Sequence, residues 1–218
     1  MKKDIVIYGA SGLGREILYL IKSRLSDDFN VIAFIDDGLS KINNMMVSDL
    51  PVYSKEFLLN YESHLGVVIA IADSAIKKKI FEELSKFNCL FFPSIVSPDA
   101  RIASDLVIGE GTIITGRCVF SVNVKLGKLV LMNGEDQLGH DVVIKDYVSM
   151  MPRCTISGNV TIGENCLIGA QSFVLQGKSI GNNSILAPGS IVFKNVPPNV
   201  TVMGNPATIL LRHRDKKI

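Results

Sequence analysis

The sequence predicts a two-part protein, an α/β unit with a parallel sheet followed by an all-β parallel solenoid. Short apolar strands, glycine turns and amphipathic helices alternate over residues 1–94. From residue 96 onward, an apolar residue recurs at every sixth position without slip or insertion. A helix cannot produce that spacing, whereas a short strand and a tight turn that recur can. We therefore expect a first domain at 1–94, a solenoid at 95–197 and a closing segment at 198–218.

The elements of the first domain follow one another as strand, turn and helix. "DIVIY" is a short apolar strand, and "GASGLGREILYLIKSRL" is a glycine turn that opens an amphipathic helix. "VIAFIDD" is a second buried strand that ends in two acids, and "GVVIAIADSAIKKKIFEEL" repeats strand, turn and helix. This alternation predicts a parallel sheet covered by helices, with its ligand site at the carboxyl ends of the strands.

The glycine turn has the chemistry of a phosphate site. Gly9, Gly12 and Gly14 are spaced GxxGxG, not GxGxxG, which weakens a nicotinamide dinucleotide interpretation. Small residues still let main-chain N–H groups approach a diphosphate where the helix begins. Asp36 and Asp37 end the second strand, where an acid accepts hydrogen bonds from a ribose or a base N–H. A plainer alternative stays open, in which the glycines only form a tight turn and the two acids are solvated.

The second half is a run of hexads. All seventeen residues of the six-residue series are apolar: Val96, Ile102, Ile108, Ile114, Phe120, Leu126, Met132, Leu138, Ile144, Met150, Ile156, Ile162, Ile168, Val174, Ile180, Leu186 and Val192. A second series four residues further along is mostly small or β-branched, as the crowded corners of a solenoid require. Asp136 and Lys178 interrupt this series. We expect bulged corners to place both charges in solvent, with a ligand contact as the alternative.

The hexads resemble the hexapeptide-repeat acyltransferases, whose left-handed β-helix is a triangular prism with three hexads per coil. The resemblance covers residues 96–197 and implies between five and six coils. Joined to "IYGASGLGREI", "FIDD" and "IAIADS", it becomes similar to the nucleotide-sugar N-acetyltransferases of bacterial glycan synthesis, including the bacillosamine and perosamine enzymes, and to the sialic-acid O-acetyltransferases. It implies a Rossmann-like domain that holds a nucleotide sugar, acetyl-CoA as co-substrate, and a homotrimer with sites shared between subunits.

The segment "QLGHDVVIKDY" carries the candidate base. The hexad frame puts His140 at an outward corner position, where filling of the core cannot explain it. An imidazole accepts a proton near neutral pH, and an adjacent carboxylate, here Asp141, can fix its tautomer. One coil is eighteen residues, so Gly158 should stack over His140. The resemblance implies that His140 is the general base, that Asp141 supports it and that the Gly158 N–H stabilises the oxyanion. The alternative for Gly158 is another turn glycine.

The resemblance also implies two sets of binding residues. A nucleotide sugar would be held by Gly9, Ser11, Gly12, Leu13, Asp36, Asp37, Ala72 and Asn133, and acetyl-CoA would lie along Ser149, Gly158, Ala170 and Pro188. Leu13 and Ser149 stand where many relatives have histidine, and Pro188 has no N–H to offer. These departures leave open the identities of the sugar and the nucleotide and the contacts that bind acetyl-CoA. His64 and His213 lie in no motif and receive no role.

Composition narrows the function classes. A net charge of +2 gives no reason to expect nucleic acid. The four cysteines form no CxxC pair, so we interpret them as buried thiols and expect no metal. No apolar stretch is long enough for a signal peptide or a membrane span, which predicts a cytoplasmic protein without membrane insertion.

N-acetylation of a nucleotide-linked amino sugar is the favoured function. The alternatives are O-acetylation of a sugar or sialic acid and a non-catalytic nucleotide-sugar-binding trimer; a nicotinamide oxidoreductase is the weakest.

Overall fold

The chain divides into two compact units in the computed structural model, which describes residues 2–61 and 63–212. One unit comprises the described residues up to 72 together with 76–95, and the other comprises 73–75 and the described residues from 96 onward. His213 and the rest of the predicted closing segment beyond it lie outside the described residues. Within the described part, none of the helices combines the length and the apolar character that crossing a bilayer demands.

The first unit is built on a six-stranded sheet. Its strand order is β3-β4-β2-β1-β5-β6, and all neighbours are parallel except β3 and β4. Because β1 lies between β2 and β5, the connections leave it in opposite directions and open a crevice at the carboxyl ends of the strands. The elements are β1 (Lys3–Tyr8), α1 (Gly12–Arg24), β2 (Phe29–Ile35), a 3₁₀ turn (Leu39–Lys41), β3 (Met46–Val47), β4 (Leu50–Tyr53), α2 (Glu56–Leu59), β5 (Leu65–Ile69), α3 (Ser74–Leu84) and β6 (Leu90–Phe91).

Helix α1 is held close to the sheet by an apolar stripe and a glycine. Ile17, Leu18 and Ile21 form its buried face, as the helical period of the sequence predicts. At Gly14 an added Cβ would collide with the carbonyl oxygen of Gly9, which itself has a φ of 105°. Two of the three glycines are therefore needed for the turn itself. Gly12 faces open space, with no atom within 4 Å of an added Cβ.

The second unit is a β-helix with three parallel faces. Face 1 contains β8 (Val107–Ile108), β11 (Lys125–Leu126), β14 (Val143–Ile144), β17 (Thr161–Ile162) and β20 (Ser179–Ile180). Face 2 contains β7 (Ile95–Val96), β9 (Ile113–Thr115), β12 (Leu131–Asn133), β15 (Ser149–Met150), β18 (Leu167–Ile168), β21 (Ile185–Leu186), β23 (Val200–Gly204) and β24 (Ala207–Arg212). Face 3 contains β10 (Val119–Phe120), β13 (Gln137–Leu138), β16 (Thr155–Ile156), β19 (Phe173–Val174) and β22 (Ile191–Val192).

The register of the faces matches the predicted coil. Leu126 pairs with Ile144 on face 1, and Leu138 pairs with Ile156 on face 3, so each residue lies over the one eighteen positions away. At the far end, β23 joins face 2 in parallel and β24 turns back antiparallel to it. The predicted fold class, a Rossmann-like α/β unit followed by a left-handed β-helix, is confirmed.

The interior follows the hexad series except near its start, where Val96 and Ile108 are only partly buried and Ile102 is exposed. From Ile114 to Val192, every residue of the series is at most 3% exposed. Ile102 was expected to be inside as well, but 41% of it is exposed. The prediction is wrong here because the first coil is incomplete: near Ile102 only an isolated bridge joins Arg101 to Val119, and no earlier coil of this unit lies below it.

Asp136 corrects a second expectation, because it lies inside the β-helix and not in solvent. It is 0% exposed, and its Oδ1 accepts a 2.8 Å hydrogen bond from the Cys154 N–H one coil further on. The coil keeps its register without a bulge, so the side chain stays in the inward column. Lys178, the other charge that was expected in solvent, is half-buried. Cys118, Cys154 and Cys166 are buried as predicted, and desolvation raises the pKa of the Cys154 thiol to about 12. Cys89 was expected to be buried as well, but it is only partly buried.

Candidate active site

His140 lies at the corner between faces 3 and 1, hereafter the His140 corner. It lies two residues after the end of β13, and 46% of its side chain is exposed. The inward neighbours Leu138 and Val142 are at most 3% exposed, so the alternation of the corner turns His140 outward. A solvent-facing imidazole on a rigid β-helix corner is available to a bound substrate.

Asp141 holds the imidazole from the side. Its φ of 60° is left-handed, and this backbone turn lets adjacent side chains meet: the Asp141 Oδ2 lies 2.7 Å from His140 Nδ1. Hydrogen bonds from His140 and then from Asn123 lower the pKa of the Asp141 carboxyl. An ionised carboxylate only accepts hydrogen bonds, so Nδ1 carries the proton and Nε2 presents its lone pair. This is the tautomer that a general base requires.

Asn123 is a site residue that the sequence analysis missed. Its Nδ2 donates a 2.6 Å hydrogen bond to Asp141 Oδ1, and its backbone N–H donates a 2.7 Å bond to Asp105 Oδ2. The signal for it was present, because Asn123 precedes Asp141 by one eighteen-residue coil. The same arithmetic had already singled out Gly158.

Gly158 lies against the imidazole ring. A Cβ at this position would overlap Nε2 and would come within 2.7 Å of Cε1 and 2.8 Å of Cδ2 of His140. Only glycine lets the ring rest on the backbone there. Among the described residues, no acceptor takes the Gly158 N–H. The corner therefore combines an imidazole with a backbone N–H, one coil away, that has no acceptor in the described part of the chain.

A second group of predicted residues lies at a different corner, between faces 2 and 3, hereafter the Asn133 corner. Asn133 and Ala170 line a cleft of about 740 Å³ there. The exposed Pro188 follows Ala170 by one coil on the same corner. Glu135 and Arg153 form an ion pair of 2.8 Å beside the cleft. Within one chain, therefore, these residues and His140 lie at different corners of the β-helix.

Ser149, which was assigned to the donor site, is fully buried. Its N–H donates a 2.9 Å bond to the Cys166 carbonyl within face 2. A role for it in acetyl-CoA binding stays a prediction.

The first unit has its own cleft at the carboxyl ends of its strands. This cleft has a volume of about 400 Å³, and Gly9, Asp36, Asp37, Tyr8 and Lys55 are among its lining residues. Burial and the hydrogen bond to Asp37 raise the pKa of the Tyr8 phenol. Neither Tyr8 nor Lys55 was among the predicted site residues: Tyr8 is the last residue of the quoted strand "DIVIY", and Lys55 belongs to no motif.

The two acids are bonded to the walls of this cleft. Asp36 Oδ2 accepts from the Ala10 N–H at 3.2 Å, while its Oδ1 accepts from the main chain at Gly38 and Leu39. Asp37 accepts a 2.9 Å bond from the Tyr8 hydroxyl and another of 2.9 Å from the Lys55 N–H. Both acids thus hold loops in place, and a contact with a ligand stays a prediction.

The glycine turn leaves donors at the same edge. Ser11 caps α1 with no hydrogen bond from its side chain, and Gly12 and Leu13 open the first turn. The first N–H groups of a helix have no intrahelical acceptor, so they are available to an anion. Ala72 follows β5 at this edge of the sheet and is half-buried. Across the described residues, no cluster of histidine, cysteine and acidic side chains is suited to a metal ion.

Three family descriptions match parts of the chain. Residues 4–84 match the PglD N-terminal domain. Residues 141–176 match the bacterial transferase hexapeptide (six repeats), and residues 159–194 match the hexapeptide repeat of succinyl-transferase. The matches cover most of the first unit and the middle of the second.

Solved structures resemble the whole chain. WeeI from Acinetobacter baumannii AYE is 33% identical, with a TM-score of 0.83 over 96% of this chain and 100% of its own. The acetyltransferase domain of PglB from Neisseria gonorrhoeae FA1090 is 25% identical, with a TM-score of 0.88 over 96% and 100%, and is also known in complex with acetyl coenzyme A. A variant of perosamine N-acetyltransferase from Caulobacter crescentus, in complex with CoA and GDP-perosamine, shares the fold at 20% identity, with a TM-score of 0.85 over 94% and 96%.

Several curated relatives match over short stretches. The 2,3,4,5-tetrahydropyridine-2,6-dicarboxylate N-acetyltransferase of Clostridium perfringens is 45% identical over 47 residues, which is 22% of this chain and 20% of that protein. The chain thus spans about a fifth of the length of this relative.

Proposed function

Because the chain belongs to the hexapeptide-repeat acetyltransferases that carry a PglD-type N-terminal domain, we propose that it moves an acetyl group from acetyl-CoA to the amine of a nucleotide-linked amino-deoxy sugar. One observation carries the proposal: the imidazole of His140, held by Asp141 in the tautomer of a base, lies against Gly158, whose N–H is free. These are the two groups that direct acyl transfer to an amine needs.

The proposed chemistry is a direct transfer. Nε2 of His140 takes the proton that the amine must lose as its nitrogen forms a bond with the thioester carbonyl carbon. The Gly158 N–H donates to the oxyanion of the tetrahedral intermediate, and the carbon–sulfur bond then breaks. The imidazolium returns its proton to the departing thiolate. No acyl-enzyme is involved, since the Cys154 and Cys166 thiols are buried with raised pKa values.

The nucleotide sugar would be bound by the first unit. The open N–H groups around Ser11, Gly12 and Leu13 suit a diphosphate, and the cleft beside Asp36 and Asp37 suits a nucleoside. The match to the PglD N-terminal domain supports this assignment. Gly9, Gly14 and Ala72 would shape the backbone of the site. UDP, dTDP and GDP sugars are all candidates.

We also propose a homotrimer that works in the cytoplasm. The predicted residues divide between the His140 corner and the Asn133 corner of one chain, and a ring of three prisms can set one corner against the other. Asn133 would then reach the acceptor, and Ala170 and Pro188 would border acetyl-CoA, on a neighbouring subunit. The two proposed domains keep their limits of 1–94 and 95–197.

The test is acetyl-CoA-dependent thiol release. The acceptor panel contains nucleotide-linked 4-amino and 3-amino sugars, free sialic acid and a blank without acceptor. We expect turnover with one amino-sugar nucleotide and a loss in kcat of roughly 10²–10⁴-fold in His140→Ala. The control is His64→Ala, which changes the other described histidine and should leave turnover unchanged.

The remaining outcomes decide between the alternatives. Turnover with sialic acid alone would move the assignment to O-acetylation. Silence across the panel, with nucleotide-sugar binding intact, would favour a non-catalytic binding trimer. Equal rates for the wild type and His140→Ala would remove the general base from the mechanism.

A further inference from the structure

We propose that Asn123 is a positioning residue, which fixes the carboxylate of Asp141 so that the imidazole of His140 keeps one tautomer and one orientation. This inference rests on the proposed function for its kinetic consequence. Asn123 lies one coil before Asp141, and its Nδ2 reaches Asp141 Oδ1 at 2.6 Å. The other oxygen of the same carboxylate holds His140 Nδ1 at 2.7 Å.

The chain of bonds extends over three successive coils. Asp105 Oδ2 accepts from the Asn123 N–H at 2.7 Å, and this bond anchors the asparagine. Asn123 then donates to Asp141, and Asp141 accepts from the ring of His140. Each carboxylate oxygen of Asp141 therefore has its own donor. A carboxylate fixed at both oxygens cannot rotate freely, and the imidazole bonded to it inherits that constraint.

A purely structural role is the competing explanation, because the β-helix uses the same bond elsewhere. At another corner, Asn165 Nδ2 donates to Asn183 Oδ1, and Asn183 Nδ2 donates to Asn199 Oδ1. Both Asn123 and Asn183 have a φ between 55° and 57°, a left-handed conformation that asparagine adopts readily. The ladder at Asn183 has no histidine in it, which makes it a matched control.

An asparagine at position 123 suits the Asp141 carboxylate better than an aspartate or an alanine would. Asn123 offers a neutral N–H donor to an anion and adds no charge of its own. An aspartate of the same shape would place a third carboxylate beside Asp105 and Asp141 and would have no donor to offer. An alanine would remove the donor without adding repulsion.

The kinetic test compares Asn123→Ala and Asn123→Asp with Asn183→Ala and Asn183→Asp. We expect kcat to fall roughly tenfold in Asn123→Ala, a fraction of what a general base contributes, and further in Asn123→Asp. KM for acetyl-CoA and for the acceptor should stay unchanged, since Asn123 touches neither in this scheme. The Asn183 variants should lose as much thermal stability but keep the wild-type kcat.

A second readout needs no acceptor. Nitrogen-15 NMR of the imidazole, assigned with His140→Ala, should show Nδ1 protonated in the wild type and in both Asn183 variants. The Asn123 variants should show a mixture of the two tautomers. A wild-type tautomer in Asn123→Ala and Asn123→Asp would overturn the inference, as would a kcat equal to that of the Asn183 variants. If the wild type acetylates no acceptor, the proposed function fails, while the tautomer comparison still decides the role of Asn123.

Discussion

Asp136 and Asp141 lie less than one hexad apart, yet the β-helix gives them opposite environments. Asp141 is at the His140 corner with 42% of its side chain exposed, and hydrogen bonds from His140 and Asn123 lower the pKa of its carboxyl. Asp136 is 0% exposed inside the Asn133 corner, where burial raises the pKa of its carboxyl to about 7. Within residues 2–61 and 63–212, nothing forms a hydrogen bond with its Oδ2.

The difference shows that the position within the hexad decides what a carboxylate does. An outward position leaves the charge hydrated and free to act on a neighbouring imidazole. An inward position places it between the Cys118 and Cys154 thiols of the same column. The pKa values of both thiols are raised, chiefly by desolvation and in smaller part by the charge of Asp136. The first arrangement suits the proposed general base, and the second costs stability whenever the group ionises.

Replacing Asp141 by asparagine tests the outward carboxylate and should have the largest effect. The amide of Asp141→Asn can donate to Nδ1, which favours the tautomer with the proton on Nε2 and removes the base. We expect kcat to fall roughly 10²–10³-fold. The control is Asp146→Asn. Asp146 accepts a comparable 2.8 Å hydrogen bond from the backbone N–H of Lys128, one coil away, and has no histidine in that bond. A similar loss in both variants would contradict the comparison.

Replacing Gly158 by alanine tests the packing of the ring. The added Cβ overlaps the His140 imidazole, so Gly158→Ala should displace the exposed ring and lower kcat by about 10²-fold, with little change in the melting temperature. Steady-state kinetics and thermal unfolding measure the two quantities. In the double variant with His140→Ala, the second change should add nothing. An additive loss would mean that Gly158 acts independently of the ring.

Replacing Asp136 by serine, the residue found in the same column at Ser172 and Ser190, tests the buried carboxylate. A raised pKa in the folded state means that this group stabilises the fold fully below about pH 4 and that the contribution is lost as pH rises to about 7. Urea unfolding at pH 4.5, 6 and 8 should show the wild type losing about 3 kcal/mol relative to Asp136→Ser between the lowest and the highest pH. Ser172→Ala should show no such pH dependence. A constant difference across the three pH values would argue against ionisation of Asp136.

Spacing predicted much of the fold and part of the candidate site. Hexad arithmetic placed Leu138 and Ile156 one coil apart, put His140 outside and brought Gly158 against it. The same arithmetic reaches Asn123 from Asp141, so the omission of Asn123 was avoidable. The six-residue period predicts positions because successive coils stack in register. Residues eighteen positions apart in the sequence are therefore neighbours in space.

Other features could not be predicted from the spacing of residues in the sequence. The burial of Asp136 depends on whether its corner bulges; the corner does not bulge, and the buried carboxylate accepts a hydrogen bond from the Cys154 N–H. Ile102 fits the apolar series, yet it lies where the first coil is incomplete. Asp36 and Asp37 occupy the expected strand end, but their bonds to loop N–H groups and to Tyr8 depend on how separate segments meet.

By itself, the sequence determined the two-part architecture, the coil of eighteen residues and the outward place of His140, because each follows from local spacing and residue type. Only the tertiary structure decided which side chains touch. The left-handed backbone at Asp141 turned neighbours in sequence into a bonded pair, and the stacking of coils added Asn123 and Gly158 to it. The physical reason is that periodicity fixes direction and height along a β-helix, whereas hydrogen bonds and packing depend on angstrom distances between groups far apart in the chain.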